Sequence, residues 1–139
     1  MTTPNKLTKE LARGAWGTVE CVILPPDNPA ADLFLDGQPP VVRARFLVLF
    51  QQIANYGFLQ AKRFKKEMGD FSAFRHEINN LQYRFPCFRI GNSWIITHGF
   101  IKPGARNKKL GDWPQQEIVR TKDIQKGYLD RKKSSGAKK

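Results

Sequence analysis

Arg75, Arg84 and His98 fall on three successive strand-like segments and Lys102 follows the last of them, and together they could do chemistry on a phosphate. If side chains alternate across a sheet, Arg75 and Arg84 on neighbouring strands share one face, while Phe74 and Phe85 turn to a core on the other. Two guanidiniums so placed form a clamp for phosphate oxygens. An unperturbed imidazole titrates at about 6.5, so His98 could carry a proton near neutral pH, and nearby cations would favour its neutral, basic form. Lys102 could offset negative charge on a reacting phosphate. Plainer roles stand beside these. Each arginine can pair with a carboxylate such as Glu77, Lys102 can be an exposed strand-end cation, and His98 can be structural. His98 shares strand parity with Ile96, Phe100 and Lys102, and one face cannot be both core and groove unless the strand twists or bulges.

A second group of cations could bind a nucleic-acid backbone without reading its sequence. Lys62, Arg63, Lys65 and Lys66 surround Phe64, and Phe64 or Tyr83 could stack on a base, although both aromatics fit a core equally well. Arg106, Lys108 and Lys109 form a further cationic loop. The whole chain has 24 Lys and Arg against 12 Asp and Glu, a formal +12. Five of these cations lie in residues 131–139, yet residues 1–130 still carry 19 against 12, so the excess belongs to the folded region too. Such a balance favours an anionic partner over a merely solvated surface.

The elements that must position these residues can be read from periodicity. Val19, Cys21 and Ile23 alternate within Trp16 to Leu24, which predicts a first strand ended by Pro25-Pro26. Asp27-Asn28-Pro29 could cap a short turn of helix through Leu33, Phe34 and Leu35. Val42, Phe46, Leu49, Phe50 and Ile53 recur at the spacing of one helical stripe, so Pro40 to Tyr56 is the clearest helix, stopped by Gly57. Phe71 to Ile78, Tyr83 to Ile90 and Ser93 to Ile101 then read as strands separated by turns at Asn79-Asn80 and Gly91-Asn92. Pro86 cannot donate to a ladder, so it predicts a bulge or a strand edge at its position. Asp112, Trp113 and Pro114 suit the entry of a last helix running to about Asp130, with Ile118, Ile124 and Leu129 facing inward.

These elements predict an α+β domain, a small antiparallel sheet with helices packed on one face and the other face left free. The expected organisation is an N-terminal arm over 1–13, a domain over 14–130 and a basic flexible tail over 131–139. No run is apolar for the roughly 18–20 residues a bilayer span needs, and the N-terminal residues lack the apolar stretch of a secretory signal, so a cytoplasmic location is expected. Cys21 and Cys87 are isolated, and with only His76 and His98 beside them they make no zinc-binding pattern. Both read as reduced core residues, and no metal or cofactor is expected.

From Phe71 to Leu129 the chain resembles the phage-derived branch of the RelE/HigB toxin superfamily. The resemblance is carried, in order, by Phe74-Arg75, Tyr83-Arg84-Phe85, Thr97-His98-Gly99-Phe100-Ile101-Lys102 and Pro114-Gln115-Gln116-Glu117-Ile118. Upstream, the helix from Val41 through Phe46 to Tyr56-Gly57 extends it to Trp16. It implies a RelE-like fold and a metal-independent, ribosome-associated endoribonuclease that cuts messenger RNA by attack of the RNA 2′-hydroxyl. Arg75, Arg84, His98 and Lys102 would then be catalytic, and a helix-turn-helix antitoxin would hold the toxin in check. Ala73 stands where members often carry an acid, and Pro103 where they often carry a second lysine. Two other classes account for the charge: a non-catalytic RNA- or DNA-binding module of the same fold, and a structural subunit that coats nucleic acid through its basic tail.

Overall fold

The computed structural model describes residues 7–102 and 113–136. Among these residues seven strands and three helices follow in the order β1 (Thr8–Arg13), β2 (Thr18–Val22), α1 (Ala30–Asp36), α2 (Pro40–Tyr56), β3 (Phe64–Met68), β4 (Phe71–Ile78), β5 (Leu81–Ile90), β6 (Ser93–Ile96), β7 (Phe100–Lys102) and α3 (Gln115–Gly136). The strands make one sheet in the order β1-β2-β6-β5-β4-β3, with β7 also paired to β5. The chain is α+β, as its periodicities predict. The sheet is mixed rather than antiparallel throughout, because β2 and β6 run parallel, a pairing that periodicity cannot reveal. Among the described residues no helix is long and apolar enough to cross a membrane.

The expected α2 stripe is the centre of the main core. Val42, Phe46, Leu49, Phe50 and Ile53 are all buried against one face of the sheet, together with Val19, Cys21, Phe74, Phe85 and Cys87. Burying a side chain as large as Phe46 contributes about 1.5–3 kcal/mol. Its ring lies 4.7 Å from that of Phe85. Gly57 ends α2 in the left-handed region at φ +84, and its N–H donates to the Ile53 carbonyl at 2.7 Å. A side chain there would also strike the Trp16 indole, so the turn needs glycine twice over. Both cysteines are reduced and buried, and burial raises both thiol pKa values, that of Cys21 to about 11.

The second face is not left free. Ile124 and Tyr128 of α3 are buried with Val22, Phe71, Phe88 and Ile95, and Trp113 packs with Ala73 and Phe100. The helix's inward stripe is Ile118, Thr121, Ile124 and Tyr128, whereas Leu129 is exposed. Thr121 can be buried because its hydroxyl donates to the Glu117 carbonyl at 2.7 Å. The helix continues past Asp130 to Gly136, so residues 131–136, read as part of a flexible tail, are helical. Residues 8–13, read as part of an arm, instead pair as an edge strand with β2. The sequence gives a polar strand of this kind little signature, because one flank has no partner to demand an apolar pattern.

Pro86 marks a break, and the irregularity lies in its neighbour. Arg84 pairs with Phe100 and Cys87 with Ile96, so β5 advances three residues while the facing chain spends four. The extra residue splits the expected Ser93 to Ile101 strand into β6 and β7 around Thr97-His98-Gly99. It also reverses parity: Ile96 joins the α2-side core and Phe100 the α3-side cluster.

Candidate functional site

Arg75 and Arg84 are direct cross-strand partners, so they share the α3-side face, while Phe74 and Phe85 are fully buried on the other. Arg84 is 3 % exposed. Its Nη1 donates to the Tyr83 carbonyl at 3.0 Å and its Nη2 to Gln82 Oε1 at 2.9 Å, while its Nε has no hydrogen bond. Burial, and then the charge of Arg75, lower its pKa to about 10, so it stays a cation at neutral pH. A buried unpaired donor costs about 1–3 kcal/mol, and two adjacent guanidiniums add repulsion.

Arg75 pairs with Glu67 of β3 at 3.7 Å, not with Glu77. The Glu67 side chain is only 5 % exposed, and its Oε2 makes no hydrogen bond. Lys102 of β7 lies opposite Gln82 and is buried. The expected Arg75, Arg84 and Lys102 thus do fall on neighbouring strands of one face. Glu67 and Gln82 belong beside them although the sequence reading passed over both. Strand parity with Lys65 and with Arg84 was the available signal, masked for Glu67 by the surrounding cations.

His98 lies at the bulge on this same face, but it is turned inward. It is 1 % exposed and stacks on Phe100 at 5.6 Å. Its Nε2 lies 2.9 Å from Glu117 Oε1 and its Nδ1 3.0 Å from Thr97 Oγ1. A carboxylate only accepts, so Nε2 carries a proton, while the single Thr97 hydroxyl proton is shared between Nδ1 of the neutral ring and the Pro86 carbonyl, 3.3 Å away. Burial lowers the His98 pKa, Glu117 opposes that, and Arg120 adds to it. Both nitrogens are therefore occupied, and His98 ties the start of α3 to the sheet. Glu117 was visible as part of the last-helix motif, but its pairing across 19 residues was not.

The expected nucleic-acid contacts divide. Lys62, Lys65 and Lys66 are exposed, whereas Arg63 is half-buried. Tyr83 is not a stacking platform. It is buried in the core, edge-on to Phe46 at 6.2 Å, because its odd position puts it on the α2 side. Phe64 likewise packs edge-on to Phe74 and Trp94, at 4.9 and 4.8 Å. Arg106, Lys108 and Lys109, and the proposed cap Asp112, lie outside the described residues.

One sheet face of this α+β domain thus carries an arginine pair, a lysine and a carboxylate, and of these Arg84, Lys102 and the Glu67 side chain are nearly fully buried. Among the described residues no three His, Cys, Asp or Glu side chains gather as metal ligands. The chain matches no protein-family model and no curated protein.

Proposed function

We propose that the chain is an RNA-cleaving toxin of the RelE/HigB kind, a cytoplasmic endoribonuclease acting on messenger RNA, on or off the ribosome, and neutralised by a helix-turn-helix antitoxin. The observation that carries the chemistry is the Arg75–Arg84 pair beside Glu67, whose Oε2 has no hydrogen-bond partner. In this reaction the 2′-oxygen attacks the adjacent phosphorus and the 5′-oxygen leaves. Glu67 takes the 2′-hydroxyl proton, Arg75 and Arg84 hold the phosphoryl oxygens, and Lys102 protonates the leaving oxygen. His98 acts as a positioning residue through Glu117. Arg75 is the most accessible of these cations, so RNA enters beside it, and Lys62, Lys65 and Lys66 hold the flanking backbone.

A non-catalytic RNA-binding module is the second reading. It is favoured by the near-complete burial of Arg84, Lys102 and His98 and by the occupied imidazole. The two separate in one experiment: 5′-labelled messenger RNA incubated with the protein in EDTA, with and without ribosomes, beside Arg75→Ala and Glu67→Gln. The ribonuclease reading expects fragments ending in a 2′,3′-cyclic phosphate, at least about 100-fold slower in either variant. Tight RNA binding without cleavage in both conditions would establish the binding module instead.

A further inference from the structure

The α2 helix carries a second apolar stripe that the core does not use. Val41, Val48 and Tyr56 are exposed on it, Val48 to 54 %, and with Phe58, 71 % exposed, they line a groove of about 660 Å³ that reaches His76 on the α2 face of the sheet. A cluster of large exposed apolar side chains of this kind marks an interaction surface.

Among the described residues its charged groups are of one sign, beside the neutral Gln52 and Gln60. Arg45 and Arg63 line the groove together with the buried His76, and neither makes an ion pair among the described residues. Among the described residues no carboxylate lines it. Both guanidiniums lie near enough to help lower the His76 pKa, after burial. An occupant must therefore bring apolar side chains and negative charge together.

We propose that this groove docks an acidic amphipathic helix of a partner protein. Val41 to Tyr56 spans about 22 Å of α2, the length of four helical turns. A helix of that length presents apolar residues three and four apart to Val48 and Phe58, and carboxylates on its flanks to Arg45 and Arg63. The groove's two cations are too few for a backbone-tracking RNA site, and a small apolar anion is the alternative that decanoate tests. The site lies on the opposite sheet face from Arg84, so it stands apart from the ribonuclease reading.

The test is fluorescence anisotropy with a labelled four-turn peptide bearing leucines at three-and-four spacing and glutamates elsewhere. A scrambled peptide, a lysine-for-glutamate peptide, decanoate and an oligouridine RNA complete the set. The acidic peptide is expected to bind, with about tenfold or greater loss in Val48→Glu/Phe58→Ala and in Arg45→Glu/Arg63→Glu. The lysine peptide is expected to bind only the latter. Equal binding of the scramble, unchanged affinity in both variants, or displacement of the peptide by RNA or decanoate alone overturns the proposal. Circular dichroism melts verify folding, and either variant pair suffices if the other unfolds. RNA binding by Val48→Glu/Phe58→Ala stays at the wild-type level, which keeps this result separate from that of the ribonuclease test.

Discussion

The N–H of Thr97 donates to the carbonyl of Pro86 at 2.8 Å, and Pro86 has no N–H to return. A regular antiparallel pair would exchange bonds there, so the ladder breaks at the one residue of β5 that cannot complete it. The bulge that follows sends His98 toward α3 and puts Gly99 between Phe34 and Phe85. A proline in a strand thereby determines where a histidine points on the next one.

Gly99 is the position most sensitive to a single added methyl. A Cβ there would lie 2.5 Å from the Phe34 ring and 2.6 Å from the Phe85 ring, two side chains already packed edge-to-face. Gly99→Ala should cost about 1–3 kcal/mol in urea unfolding. An unchanged midpoint would mean that α1 yields freely.

The buried imidazole predicts an acid-sensitive fold. Burial holds the His98 pKa in the folded chain below its unfolded value of about 6.5. Stability is therefore fully present above that value. It is lost as pH falls below it, because the unfolded chain takes up a proton that the folded chain refuses. His76 shifts in the same direction and adds to the effect. His98→Gln should start about 1–3 kcal/mol less stable, having lost its Thr97 and Glu117 bonds, yet lose less between about pH 7.5 and pH 5.5 than wild type does. Denaturant titrations at the two pH values read both differences. Parallel losses in the two proteins would assign the acid sensitivity to other groups.

The legibility of the fold followed the physics of each element. The α2 helix was readable to its end residues because its core stripe and its glycine stop agree. The β6–β7 segment was not, because one extra residue reverses parity while leaving the apolar pattern intact. Parity did place Arg75 and Arg84 together, since β4 and β5 pair without irregularity through Ser72 to Leu81. It also held the correct answer for Tyr83, whose position matches core-facing Phe85 rather than Arg84. The partners Glu67 and Glu117 come from distant elements, and only tertiary packing brings them in.

Tyr83 and the exposed lysines give opposite predictions for RNA affinity. Tyr83 lies in the core, so Tyr83→Phe should leave RNA affinity unchanged, while Tyr83→Ala should cost about 3–5 kcal/mol of stability by opening a cavity. Lys65→Ala/Lys66→Ala should leave stability within about 0.5 kcal/mol, because both side chains are exposed. It should weaken RNA binding and lower the salt dependence by about two phosphate contacts. Filter binding across a salt series separates the two sets, and a Tyr83→Phe defect in binding would contradict the buried placement.

Arg84 combines a structural burden with a proposed role, and one substitution separates them. The buried guanidinium has an unpaired Nε and a like-charged neighbour. Methionine fills similar volume without charge or donors, and replacing a buried charge in this way is often neutral or stabilising. Arg84→Met removes Nη2 from Gln82, whose amide then needs another partner, so the gain is limited to about 1 kcal/mol. Arg84→Met should therefore unfold at the wild-type denaturant concentration or higher, while RNA affinity falls and the slope of log K against log salt drops by about 1. Retained affinity with raised stability would make Arg84 a purely structural cation and leave phosphate binding to Arg75 and the surface lysines. A large loss of stability would instead show that its bonds to Tyr83 and Gln82 outweigh the cost of burying its charge.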